Sequence, residues 1–589
     1  MKCPFCNENL PEGSMFCSNC GTRVDNASGS GGAKGGGVNE VPLYQIPEPA
    51  PAMMPERKKG GKGKWIAIGT VSAVAVAGCV AAAVFALTAK TPKEKVIAAF
   101  EQVYDSQKEL PGEEIFGFSQ FAEMAKSQDM EEGISLSLSD TSLWGTQSFV
   151  GSGFSLDAKF SPSRKQSSAD VGFSYQGMKM LDAQVYYGDD RLMAAVPQLS
   201  SYAFLLDMSG DFGSKLKNSP MAGAVLQSQG VDGDALADLV NETLDRAYDT
   251  ENPAFDLNAL LNRYQEGCKA KDKFKEALTV EKEKGNKKSF PVDGKEKKCQ
   301  GYSVVISKDA MIDFLEESSD FFLKDEILRD DFLNQLELMA RFSQVMGESF
   351  TSDSPKKLLD DVYQDVEDRA DELIRILDKT LDDVEMVVYL DRKGNLVAFS
   401  GETNLGADDD LIGVEFEVSL KGGSHPLQNL EAMAELSNDG ERITVNVERE
   451  GTFDKEALTD RISVEMNVVG DRVGGEYVMS YGRADGDLKM QLDIMAERLQ
   501  VASISLEAVV DELEKGKSIH MDLEELRIED SLNDQHMAFE GEFCLKPLEE
   551  EIEEPEGQVF DVLEADLSDW GAVGEEIEEK AEASFGDLF

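Results

Sequence analysis

From Trp65 to Ala89 the chain runs for 25 residues without a charged side chain, dense in Ala, Val, Ile and Gly. A helix of that length crosses a ~30 Å hydrocarbon layer with some tilt, whereas a soluble core helix would show a polar face. A single transmembrane helix over 65–89 is therefore expected, and it places the two flanking parts of the chain in different compartments. Arg57, Lys58, Lys59, Lys62 and Lys64 precede the span; Lys90, Lys93 and Lys95 come after it. The positive-inside rule then puts the N-terminus in the cytoplasm and the region after Lys90 outside the cell. Gly69, Ala73 and Ala77, four apart, permit close helix packing, so a homodimer through the span is compatible with the sequence. Val76-Ala77-Gly78-Cys79 also matches a lipoprotein cleavage box, but the apolar run continues ten residues past Cys79 and a secretory signal stands at the N-terminus. The membrane-spanning reading is preferred.

Before the span lie Cys3-Pro4-Phe5-Cys6 and Cys17-Ser18-Asn19-Cys20-Gly21, separated by ten residues. Two thiolates on one tight turn can face a single ion, and two such turns complete a tetrahedral sulfur shell. Residues 1–24 thus read as a zinc ribbon, with Cys3, Cys6, Cys17 and Cys20 holding one structural Zn2+. Four thiolates leave no open position for catalysis. The ribbon's side chains sum to zero charge before metal binding, and the whole chain carries 113 acidic against 58 basic residues, a net −55. That balance repels phosphate backbones and excludes nucleic acid as the main partner. Residues 25–64 form a Gly- and Pro-rich tether ending in the basic stop.

Outside, residues 90–548 read as an α+β region, divisible near position 308 into 90–308 and 309–548. Thr91-Pro92-Lys93-Glu94 is a capping box that starts a helix. Strands with period-two alternation come next at Ile134–Leu138, Phe154–Phe160 and Ala183–Tyr187, the last before a turn at Gly188-Asp189-Asp190. Helical blocks are predicted over 234–269 and 309–384. Within the second, Ser354-Pro355 starts a helix whose Leu359, Val362, Val366, Ala370, Leu373, Leu377 and Leu381 make one apolar stripe, expected to lie on the sheet. A second β region from Met386 to Ile494 alternates through seven runs. Its turns are expected at Asp391–Asn395, Gly422-Gly423, Asp439-Gly440, Gly474-Gly475 and Asp485-Gly486. The result is a long, meandering antiparallel sheet with helices packed on one face. Cys268 and Cys299 are the favoured pair if a disulfide exists, which leaves Cys544 as a small buried apolar residue. Residues 549–589, with sixteen acidic residues and one lysine, are expected to be a disordered tail.

No phosphate loop, His-Glu-x-x-His or Gly-x-Ser-x-Gly is present, and three histidines (His425, His520, His536) leave little material for triads. No enzyme is expected. Asp408, Asp409 and Asp410, or Asp232 and Asp234, lack the ligand register of a calcium loop and read as solvated loops.

The ribbon with Met1-Lys2 before Cys3 and Phe16 before Cys17, the tether, the lysine-rich stop and the single span together resemble the zinc-ribbon single-pass membrane proteins of Gram-positive bacteria, of the teicoplanin-resistance-associated kind. That resemblance covers about residues 1–90 and implies a cell-envelope protein that binds or regulates without catalysis. Leu390–Val397 and the helix-over-sheet order are loosely similar to the half-barrels of bacterial lipoprotein carriers. The first functional expectation is a non-enzymatic envelope protein whose outer domain binds a wall component or surface partner. The alternative is a carrier or sensor of an apolar ligand between sheet and helices. A wall-active hydrolase, recognisable by two carboxylates facing across a cleft, is the third.

Overall fold

Short alternating runs closed by two-residue turns can satisfy their backbone groups only by pairing with the next strand. In the computed structural model, which describes residues 91–106, 111–250, 256–346, 354–406, 411–438 and 440–585, the chain does so in one twenty-stranded sheet. The ribbon cysteines, the tether, the 65–89 span and Asp408–Asp410 lie outside the described residues. Among the described residues no helix is long and apolar enough to cross a membrane.

Helices α1 (Pro92–Asp105), α2 (Pro111–Phe116) and α3 (Phe118–Ser127) come first. Thr91 caps α1 through the expected capping box, its side chain accepting from Glu94 N. Strands β1 (Met130–Thr141), β2 (Gly153–Ser161), β3 (Gln166–Tyr175), β4 (Met178–Gly188), β5 (Arg191–Ala195) and β6 (Tyr202–Asp207) follow. Next are α4 (Phe212–Asn218), α5 (Ala222–Gln229), α6 (Gly233–Ala247), α7 (Leu257–Gly267) and α8 (Ala270–Ala277). The hairpin β7 (Thr279–Val292) and β8 (Lys295–Ile306) leads into α9 (Lys308–Lys324), α10 (Glu326–Val345) and α11 (Pro355–Thr380). A meander completes the sheet: β9 (Val384–Leu390), β10 (Leu396–Leu405), β11 (Ile412–Gly422), β12 (Asn429–Asn438), β13 (Glu441–Phe453), β14 (Ala457–Val468), β15 (Asp471–Gly482), β16 (Asp487–Ala496), β17 (Leu499–Glu514), β18 (Ser518–Asp530) and β19 (Gln535–Pro547). The chain ends in β20 (Gln558–Asp561) and α12 (Leu567–Phe585).

Pairing runs from β7 through β19 in chain order, then from β19 to β1, and on through β6 to β20. Every pair is antiparallel except β6 with β20. Strands β8 and β9, on either side of position 308, are direct neighbours, with Val304 opposite Met386. Directly opposed residues point to the same side of a sheet, so the register carries one apolar face across the meander. Val414 on β11 faces Leu436, which faces Ile443, which faces Val468. Val96 and Ala99 of α1, Ala270 and Phe274 of α8, and Ala310, Met311 and Phe314 of α9 cover this face over β8–β12. Phe116 of α2 with Phe121 and Met124 of α3 cover the Leu458, Tyr481, Leu488 and Ala508 end of β14–β17.

Four expectations need correction. The stripe of α11 does not lie on the sheet, because α9 already occupies that surface; α11 packs chiefly on α9 and α10 and meets β10 at its end. Its buried positions are Leu359, Ile374 and Leu377, while Val362, Val366 and Leu373 are exposed. Cys268 and Cys299 are both free. Cys268 ends α7 beside the helix-covered core, whereas Cys299 has the opposite parity to Tyr302 and Val304 on β8 and packs with Val292 and Tyr389. Burial pushes the Cys299 thiol up to about 11. Gly474-Gly475 is no turn but the middle of β15; the turn sits at Val469-Gly470, both at positive φ. A Cβ on Gly474 would stand 2.6 Å from Val464 O, so the glycine allows close strand approach.

The acidic tail is ordered through Phe585. β20 adds in parallel to β6, Leu563 joins Met208 and Phe212 in a small core, and Trp570 stacks on Phe204 with ring centroids 6.0 Å apart. Interspersed apolar residues outweigh the charge repulsion because the edge of β6 offers both hydrogen bonds and an aromatic surface. Asp232 caps α6 by accepting from Asp234 N, and Asp234 pairs with Lys217.

Candidate ligand-binding site

Two breaks in the alternation lead to the site. On β13, Ile443, Val445 and Val447 lie on the apolar face and Arg449 comes next at the same parity; on β14, Asp460 stands between Leu458 and Ile462. Two opposite charges on an apolar surface have to find each other. Arg449 Nε donates to Asp460 Oδ1 at 2.9 Å and Nη2 to Oδ2 at 2.6 Å, a bidentate pair whose side chains are 21% and 16% exposed. Behind it the ends of β12–β14 are knotted by amides. Gln428 Nε2 donates to Gly451 O at 2.7 Å while its Oε1 accepts from Ser424 N and Oγ, and Gly451 N donates to Asn429 Oδ1 at 2.8 Å.

The facing wall comes from α2 and α3. Phe116 anchors it, packing against Tyr481 at 5.0 Å and stacking on Phe118 at 5.3 Å. The two helices meet at Gly117, whose φ of +72° and whose neighbour Gly516 leave no room for a side chain: a Cβ there would lie 2.8 Å from Gly516 N. Gly516 N donates to Phe116 O, which fastens the helices to the β17–β18 turn. Glu113 is held by Ser119, accepting from its backbone N at 3.0 Å and from its hydroxyl.

Between these walls is a cavity of about 680 Å³, bordered by Pro111, Phe118, Leu458 and Met479 on its apolar side and by His425, Arg449 and Asp460 on its polar side. Such a volume is in the range of small-molecule sites. His425, on the loop between β11 and β12, is 8% exposed and lies beside Phe453, ring centroids 6.1 Å apart. Its Nε2 is buried and has no hydrogen-bond partner among the described residues. Such a group costs about 1–3 kcal/mol while it stays unpaired. The other two histidines are partnered: His520 with Asp511 at 2.6 Å and His536 with Asp140 at 2.9 Å.

Beyond Met479 the apolar face is uncovered. Val464 and Met466 of β14, Val473 of β15, Leu492 and Ile494 of β16, Ile504 of β17 and Ile528 of β18 are 37–48% exposed on this one face. Tyr477, opposite Leu492, lies on the same row, and burial pushes its phenol and that of Tyr481 up.

Residues 2–24 match the zinc-ribbon domain family, which supports zinc binding by this segment. No curated protein and no solved structure matches the chain. Cys3, Cys6, Cys17 and Cys20 lie outside the described residues, so their geometry does not enter the site. Among the described residues no group of three or more His, Cys, Asp or Glu side chains is placed to hold a metal ion. Sequence reasoning missed Arg449, Asp460 and His425. Charges interrupting an alternating run at its apolar parity were the legible signal for the first two, and His425 left none.

Proposed function

We propose that the chain is a single-pass membrane protein of the cell envelope that acts by binding rather than by catalysis, with a cytoplasmic ribbon holding one structural zinc through Cys3, Cys6, Cys17 and Cys20. Its outer sheet holds an apolar ligand on the uncovered face of β14–β18. The observation that carries this reading is the row of seven exposed large apolar side chains on one face of five adjacent strands, contiguous with a cavity walled by helices. Soluble surfaces rarely leave such a patch without a use. The third class, a hydrolase, draws no support from the cavity, where Asp460 is engaged by Arg449 and Glu113 by Ser119.

The test is photo-crosslinking of a diazirine-bearing long-chain alcohol to the full chain in its own membranes, with labelled peptides mapped by mass spectrometry. Label on the 458–528 strands is expected. Label confined to 65–89 would sink the reading.

A protein or wall partner is the second reading. It is favoured by a different surface, the exposed Phe332, Met339 and Phe342 of α10 beside Val362 and Val366 of α11.

A further inference from the structure

We infer that the cavity beside His425 receives the uncharged head group of a single-chain amphiphile, such as a monoacylglycerol, whose hydrocarbon chain lies along the exposed row of β15–β18. This rests on the apolar-ligand reading above and names the ligand class. The polar inventory of the cavity decides the head group. Arg449 is engaged by both oxygens of Asp460, Gln428 by Gly451 and Ser424, Glu113 by Ser119, and the Thr452 and Thr459 hydroxyls by each other at 2.6 Å. His425, which borders the cavity, is left: among the described residues its buried Nε2 has no partner. It can exchange one hydrogen bond with a hydroxyl or ester oxygen.

Charge speaks for a neutral head. Glu113 and Asp460 against Arg449 leave the lining one negative charge in excess, within a chain of net −55. Among the described residues of the lining the one Arg or Lys, Arg449, is already engaged by Asp460, so a phosphate or carboxylate would have to displace that pair, and burying an unpaired charge is costly. The path for the chain starts where the cavity's own lining ends. Met479 faces Met490, which faces Leu506, and together they form the edge of the helix-covered core. In the next row Leu492, Ile504 and Ile528 are exposed, with Tyr477 half-buried at its start. At ~4.8 Å per strand it offers about 14 Å of continuous apolar floor.

Histidines number three in the sequence, so selective labelling reads the proposal directly. The full chain, 15N-histidine labelled and held in nanodiscs of neutral lipid, is titrated with monooleoylglycerol and, separately, with oleate. The Nε2 resonance of His425 should move with monooleoylglycerol while those of His520 and His536 stay. His425→Phe should weaken monooleoylglycerol binding about tenfold, the size of one net hydrogen bond, and His425→Gln should restore most of it. If the sheet binds the probe while His425 stays silent, or if oleate binds more tightly than monooleoylglycerol, the head-group assignment is overturned and the apolar-ligand reading survives. If neither probe reaches the sheet, both fail together. The wild-type resonances decide the matter even if His425→Phe does not fold.

Discussion

Single residues carry most of their consequences here through the groups they leave unpaired. Arg449→Leu would strand Asp460 as a half-buried carboxylate on an apolar face, and a loss of about 3 kcal/mol is expected in urea unfolding. The double change Arg449→Leu with Asp460→Leu should recover most of that, since both desolvation costs vanish together; equal losses in single and double variants would mean the pair does not couple. Asp207 is the clearest pH-dependent group. The Lys215 ammonium, and after it the Ser209 hydroxyl at 2.6 Å, hold its carboxyl at about 2. A carboxylate depressed on folding stabilises above its unfolded value near 4 and loses that contribution as pH falls toward 2. Scanning calorimetry from pH 5 to 2 should therefore show a shallower fall in Tm for Asp207→Asn than for the wild type, with Asn the less stable at pH 5.

At the scale of elements, the helices divide by which neighbour they cover. Because α11 lies on α9 and not on the sheet, its sensitive position is Ile374, 8% exposed, and not the adjacent Leu373, 40% exposed. Ile374→Asp should cost about 3 kcal/mol or more, and Leu373→Asp less than ~1. Comparable losses for the two would place the stripe on a buried surface after all. The tail is an element of the same kind. Val573 is buried on α12, and Glu576 Oε1 accepts from Ser201 N at 2.8 Å. Val573→Asp is expected to release α12, read as faster amide exchange along β6 and protease cleavage after Lys580, while β13–β18 stay protected.

Across the whole molecule, the contact that joins the two halves of the sheet is β1 with β19, strands some four hundred residues apart in sequence. Gly541 makes that contact possible: a Cβ there would run into Ser135 O, so the strands approach at a point where any side chain forces them apart. Gly541→Val should part β1–β6 from β7–β19, visible as two melting steps where the wild type shows one. A single, merely lowered transition would mean that the helices hold the halves together. Long-range pairing of this kind also makes slow folding the expectation for this chain.

Local pattern was enough to determine the strands and helices themselves. Alternation at Val414–Leu420 placed inside and outside correctly because a strand's parity is set by its own backbone, whereas at Ile462–Val468 it marked the apolar face but not that Val464 and Met466 on it stay exposed; Thr91 and Ser354 marked helix starts because caps satisfy nearby amides. The cysteine spacing of residues 2–24 was likewise readable, since a metal knuckle is a local object. Whether an apolar stripe meets a sheet or another helix was not local, and α11 shows it: its sequence is amphipathic in either case, and only the prior occupation of the sheet by α9 decided. The same holds for the tail, whose order depends on an aromatic edge more than three hundred residues earlier, and for Cys268 and Cys299, close in sequence yet placed in separate cores. The candidate site is tertiary in the same sense. Arg449 and Asp460 could be seen as misplaced charges, but that they answer each other, and that His425 is buried beside them with its Nε2 unpartnered among the described residues, is decided only once three strands and two helices enclose one volume.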